Sequence, residues 1–203
     1  MGFQVSTFLS ENPGPLSPNS IYVLFGGAND LYTAANPIAA STVALGNIEA
    51  EIAALYGAGA RSFLFPNLPD LGRTPRGAAG PNAAALSTAS LDFELGWTAF
   101  ISAERAQGIG ITGVDLYATY QNVQANPAAF GLTNVTTPAQ GQAVISDRYL
   151  FWDGQHPTTA GHAIIANAAF AAINTPEPAS VLLSIAGLGS IGLLLRRKRD
   201  DNV

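Results

Sequence analysis

Residues 21–30 read IYVLFGGAND. Five apolar residues in a row, β-branched and aromatic ones among them, then two glycines, predict a short strand buried on both faces and ended by a tight turn. Outward from it the pattern alternates. Residues 41–56 (STVALGNIEAEIAALY) place Val43, Ile48, Ile52 and Leu55 at helical spacing behind a Ser/Thr start, with Gly57 and Gly59 closing the run. A second strand is predicted over 62–65, stopped by Pro66, then a long helix over 82–107 and a third strand over 110–117. A last helix over 157–173 has proline in its first turn, where the missing N–H costs nothing. Strands separated by helices imply a parallel sheet with helices on both faces.

The 203 residues are 48% hydrophobic and 11% charged, with a formal net charge of −5. Disordered chains combine low hydrophobicity with high charge, so this one folds. Four of its nine basic residues (Arg196, Arg197, Lys198 and Arg199) form one run at the end, so residues 1–195 carry five arginines against twelve acids. That acidic body excludes a nucleic-acid partner. With no cysteine there is no disulfide framework, thiolate zinc site or thiol nucleophile.

The chain divides at about residue 174. Residues 179–195 (ASVLLSIAGLGSIGLLL) carry no charge and run directly into the basic tip 196–199. A core helix does not normally stay apolar on every side and stop at four cations, which makes this stretch a short transmembrane helix with its tip in the cytoplasm. Pro176, Glu177 and Pro178 stand before it. Pro-Glu-Pro, one apolar helix and an arginine-rich tip, in that order, resemble the PEP-CTERM sorting signal of bacterial surface proteins. The resemblance implies an exported body, membrane anchoring through 179–195, and processing by an exosortase that releases the body to the cell surface or matrix. Residues 1–16 nevertheless lack the basic region, apolar run and cleavage site of an export signal.

In an open parallel sheet the working groups sit on loops leaving the carboxyl ends of the strands. Gly27-Ala28-Asn29-Asp30 follows the first strand, and the Asn29 amide there is a neutral donor of the kind a developing oxyanion needs. Taken alone, G-x-N-D is an ordinary Asx turn. Asp153-Gly154-Gln155-His156 leads into the last helix, with an aspartate spaced to hold one imidazole nitrogen while the other acts as a base. Helix capping or a surface histidine are the bland alternatives. The other histidine, His162, lies six residues on, which on a helix turns it away from His156, so the pair is no metal site. Arg73, Arg76 and Arg148 are the cations available to meet an anionic group, and solvated surface arginine is the default for each.

G-x-N-D after an apolar strand and D-x-x-H-P at the start of the final helix, taken together, resemble two sequence blocks of the SGNH (GDSL) hydrolase family. The stretch 65–75 (FPNLPDLGRTP) is similar to a loop of its lecithinase and autotransporter-esterase branch. The resemblance spans about residues 3–173. It implies an α/β fold, a three-layer α/β/α flavodoxin-like parallel sheet, and an esterase or lipase that hydrolyses carboxylic esters without cofactor or metal through an acyl-serine. Its substrates are lipids, acetylated sugars or small esters. Residue by residue it makes Asn29 an oxyanion-hole donor, Asp153 the orienting carboxylate and His156 the general base, with Gly27 and Asp30 supporting the turn.

The family's nucleophile does not appear. No Gly-Asp-Ser and no G-x-S-x-G elbow occurs in the sequence, and Ser146, near the Asp153 turn, has no turn residues to expose it. The expectation is a domain over 1–174, incomplete at the N-terminus, followed by a sorting tail over 175–203. One loss of the front of the gene product accounts for both the missing serine and the missing export signal. Such a chain has a base with nothing to activate. The competing expectation is a non-catalytic surface or matrix protein, a pseudoenzyme kept for its sorting tail.

Overall fold

The computed structural model describes residues 2–175; the sorting motif Pro176, Glu177 and Pro178, the apolar stretch 179–195 and the basic tip lie outside them. The elements run α1 (Gly2–Glu11), β1 (Ile21–Val23), α2 (Ala28–Thr33), α3 (Pro37–Gly57), β2 (Ser62–Pro66), α4 (Pro75–Ala79), α5 (Ala83–Ala106), β3 (Gly110–Val114), α6 (Leu116–Ala125), β4 (Asn134–Pro138), β5 (Tyr149–Phe151) and α7 (Thr159–Asn174). Strands β1, β2 and β3 form one parallel sheet in that order, and β4 pairs parallel with β5 in a second.

Alternation along the strands builds the layers. Phe63, Phe65 and Ile111 point to one side, into a core shared with Leu45, Ile48 and Ile52 of α3 and Phe93, Trp97 and Ile101 of α5. Leu64 and Val114 point to the other, against Ile165, Ala168, Ala169 and Ala172 of α7. The result is the α/β/α arrangement expected, with α3 and α5 on one face and α7 on the opposite one. Trp97 packs over Phe65 and its indole N–H donates to the Phe65 carbonyl at 2.9 Å. Gly113 is glycine because a Cβ there would stand 2.6 Å from the Trp97 ring.

Several boundaries differ from the sequence reading for local reasons. Helix α3 begins four residues early, because Asn36 caps it by accepting from Ala39 N–H and Pro37 supplies its first turn. Strand β3 ends at Val114, since Asp115 accepts from Ala118 N–H at 2.9 Å and starts α6. Pro157 does not open α7; Thr158 caps that helix, and Pro157 pairs with Phe151 in an isolated antiparallel bridge. The burial expected of β1 is corrected. Tyr22 and Leu24 join the core, whereas Ile21, Val23 and Phe25 remain 53%, 60% and 49% exposed. The reason is that β1 is an edge strand and α7 covers the neighbouring strands on that face.

Candidate active site

At the end of β1 the chain turns through Gly27, whose φ of 99° is a left-handed conformation that glycine adopts without strain. Gly27 stands at the start of α2, and a Cβ on it would meet the Phe93 ring at 3.1 Å. Asn29 and Asp30 follow in the first turn, both exposed. Neither makes the Asx turn that an isolated G-x-N-D suggests; the glycine conformation makes the bend. Among the described residues the Asn29 side-chain amide has no hydrogen-bond partner, so its N–H groups are available to a ligand.

The second turn is tightly organised around one carboxylate. Asp153 Oδ1 accepts from the backbone N–H of Gln155 at 2.9 Å and of His156 at 2.7 Å. Its Oδ2 lies 2.7 Å from His156 Nδ1. Partial burial pushes the Asp153 carboxyl upward, but the two backbone donors and the imidazole outweigh it and hold the group at about 2. The carboxylate is therefore ionised and acceptor-only across the neutral range. It does not cap α7, a role taken by Thr158, which accepts from Gly161 N–H and donates to the Tyr149 carbonyl at 2.6 Å.

The loop over 67–74 is the scaffold between these turns. Asn67, Asp70 and Thr74 are buried, and each is satisfied. Asn67 Oδ1 accepts from Leu116 N–H at 2.6 Å and Tyr117 N–H at 3.0 Å, and Asp70 Oδ1 accepts from Gly72 N–H and the Ser87 hydroxyl. The Thr74 hydroxyl donates to the Leu71 carbonyl, which leaves Tyr32 as donor in the 2.7 Å contact between Tyr32 Oη and Thr74 Oγ1. Burial raises the Tyr32 phenol and keeps it a neutral donor.

Asn29 and His156 line the same cleft, a cavity of about 1260 Å³ whose wall is mainly apolar, with Leu68, Leu71, Leu150 and Phe151 among its residues. His162, in the first turn of α7, also faces it. Ser146 begins a short 3₁₀ turn and is not part of the wall. Sequence reasoning missed Tyr32 and Gln155. Arg76 is exposed, as expected of a surface cation. It also stacks on Tyr32 with its Cζ 4.5 Å from the ring centroid, donates to the Gln155 side-chain oxygen, and donates its backbone N–H to the Gly154 carbonyl at 2.7 Å. Its partners Tyr32, Gly154 and Gln155 all lie far from it in sequence, so no local pattern announces them. An oriented imidazole and a free amide beside an apolar cleft are the elements of a site for acyl transfer.

Comparison with known proteins finds similarity in both parts of the chain. Residues 174–199 match the PEP-CTERM protein-sorting motif. Esterase EstA of Pseudomonas aeruginosa is 29% identical over 188 residues, which are 83% of this chain and 28% of that protein. The thermolabile hemolysin of Vibrio parahaemolyticus is 26% identical over 196 residues, 82% of this chain and 45% of its own length. A GDSL esterase/lipase of Arabidopsis thaliana is 23% identical over 192 residues, 78% of this chain and 53% of its own. The chain thus spans between about a quarter and a half of the length of these curated relatives. Residues 4–169 match the GDSL-like lipase/acylhydrolase model, and the chain belongs to that family.

Proposed function

We propose that this chain supplies the base and part of the oxyanion hole of an ester hydrolase that is exported and sorted to the cell surface. The carrying observation is the 2.7 Å contact between Asp153 Oδ2 and His156 Nδ1, with Asn29 on the same cleft. Asp153 keeps a proton on Nδ1 and directs Nε2 toward the cleft. His156 Nε2 then takes the proton of a serine hydroxyl as that oxygen attacks the ester carbonyl. Asn29 donates to the oxygen that becomes negative, and the imidazolium returns the proton to the leaving alcohol. Gly27 and Asp30 shape and start the helix that presents Asn29. The apolar wall of the cleft fits the acyl side of a lipid or small ester.

The serine of that mechanism is not part of a Gly-Asp-Ser anywhere in the 203 residues. On this reading it is contributed from outside them, and residues 1–203 alone hydrolyse no ester. The match over 174–199 supports export, with Pro176, Glu177 and Pro178 read by an exosortase and 179–195 held in the membrane until processing. The experiment is to express residues 1–203, treat them with a fluorophosphonate probe, and read the upstream DNA in frame. No labelled serine is expected, together with an upstream strand and Gly-Asp-Ser. Labelling of any serine in 1–203 overturns the inactivity. An in-frame stop directly upstream favours the non-catalytic surface protein instead.

A further inference from the structure

We propose that Gln155, held by Arg76, is a positioning residue for His156: it reinforces the tautomer that Asp153 sets and covers the basic ring nitrogen while the site is empty. The inference rests on the reading of His156 as the general base for its functional meaning, but its geometry stands apart from that reading.

Donor and acceptor chemistry fixes the arrangement. A guanidinium only donates, so the Gln155 atom facing Arg76 Nη1 is the side-chain oxygen. The amide nitrogen is thereby turned away from Arg76, where it stands 3.3 Å from His156 Nε2. An amide nitrogen only donates, so Nε2 is the acceptor and carries no proton. On the other side of the ring the ionised Asp153 only accepts, so Nδ1 holds the proton. Both contacts select the same neutral tautomer, with Nδ1 protonated and Nε2 bare, which is the form a base must have before it acts.

Arg76 is itself held from two further directions: its guanidinium lies over the Tyr32 ring, and its backbone N–H meets the Gly154 carbonyl. Tyr32 in turn is fixed by its hydroxyl, which donates to Thr74, one residue before the α4 start. A line of contacts therefore runs from α2, three residues beyond Asn29, through Tyr32, Arg76 and Gln155 to His156. It ties the two turns of the site to each other. It also has a cost for turnover. Once Nε2 takes a proton, its N–H opposes the amide N–H, and Gln155 has to swing aside. Gln155 is only half-buried, so the swing breaks two hydrogen bonds and disturbs no core.

The test labels the histidines of the 203-residue chain with ¹⁵N and reads the ring nitrogens by long-range proton–nitrogen correlation, at a pH where both rings are neutral. His162 is the internal reference. In the wild type the His156 signals are expected to show Nδ1 protonated and Nε2 bare, shifted by its hydrogen bond. Gln155→Leu keeps the tautomer through Asp153 and loses that hydrogen-bond shift. Arg76→Met keeps the alkyl stem and gives the same loss, because the amide is no longer oriented. Gln155→Glu replaces a donor by an acceptor and brings a proton onto Nε2. A wild-type ring protonated on Nε2 overturns the proposal, as do Gln155→Leu and Arg76→Met spectra identical to wild type. If the ring signals follow the expected course while His156 proves dispensable for ester hydrolysis by the longer protein, the base assignment fails and the positioning role of Gln155 stands.

Discussion

The side-chain amide of Asn67, on the loop after β2, donates to Asp115 Oδ1, on the loop after β3, at 3.0 Å. The amide oxygen of the same fully buried residue accepts from the backbone N–H groups of Leu116 and Tyr117. Asparagine is required because one group must donate to a carboxylate and accept from a helix start at once. Asn67→Leu keeps the volume and leaves the backbone N–H groups of Leu116 and Tyr117 without their acceptor. A loss of about 2–3 kcal/mol is expected, the usual cost of leaving buried donors unsatisfied. Urea denaturation of the variant measures it, and a change under about 0.5 kcal/mol contradicts the role given to Asn67.

Two glycine substitutions have opposite expected signs. At Gly113 a Cβ would lie 2.6 Å from Trp97 Cζ2 and 2.7 Å from Ile101 Cδ1, both on the buried face of α5. Gly113→Ala forces that packing apart and is expected to cost about 1–3 kcal/mol. At Gly46, inside α3, nothing beyond its chain neighbours and the helix's own backbone lies within 4 Å of the added Cβ. Gly46→Ala is expected to stabilise by about 0.5–1 kcal/mol, the helix preference of alanine over glycine. Thermal melts of the two variants against wild type show whether α5 packs on β3 as described.

What was legible in the sequence follows the range of the interactions. The apolar runs of β2 and β3, the long α5 and the three-residue step from Asp153 to His156 are local, and the sequence displays them. Helix α6 was hidden by its polar outer side, although Leu116, Tyr120 and Val123 carry its buried stripe at i, i+4 and i+7 and Asp115 its cap. Strand β4 buries none of its residues, and β5 is too short for an alternation to show, with Leu150 and Phe151 buried side by side. The burial of β1 was misjudged because an apolar run does not say whether anything covers its second face. Tyr32, Arg76 and Gln155 meet only in the fold, and an arginine that orders an amide looks in sequence like one in water.

The open face of β1 carries a solubility prediction. Ile21, Val23 and Phe25 lie on one side of an edge strand, and each is about half exposed or more. An exposed apolar edge strand pairs with other chains. Val23→Lys puts a charge at that edge and removes nothing from the core. Self-association of residues 1–203, followed by light scattering over a concentration series, is expected to fall. The unfolding midpoint is expected to stay within about 0.5 kcal/mol of wild type. Unchanged scattering places the self-association surface elsewhere.

The Asp153 turn sets an acid limit on stability. Although partial burial raises the carboxyl, the N–H groups of Gln155 and His156 and the imidazole bring it from its ordinary 3.8 down to about 2. A group depressed in the folded state binds protons more readily when unfolded, so its contribution is complete above about pH 4 and vanishes as the pH falls through about 2. The side chain is 32% exposed, so solvent damps the effect to a fraction of the ~1.4 kcal/mol that one full unit corresponds to. Asp153→Asn has no charge to lose. Urea midpoints measured from pH 5 to pH 2 are expected to fall more steeply for wild type than for Asp153→Asn, with the difference confined to the range below about pH 4. Parallel curves throughout would show that the turn holds His156 without drawing on the Asp153 charge.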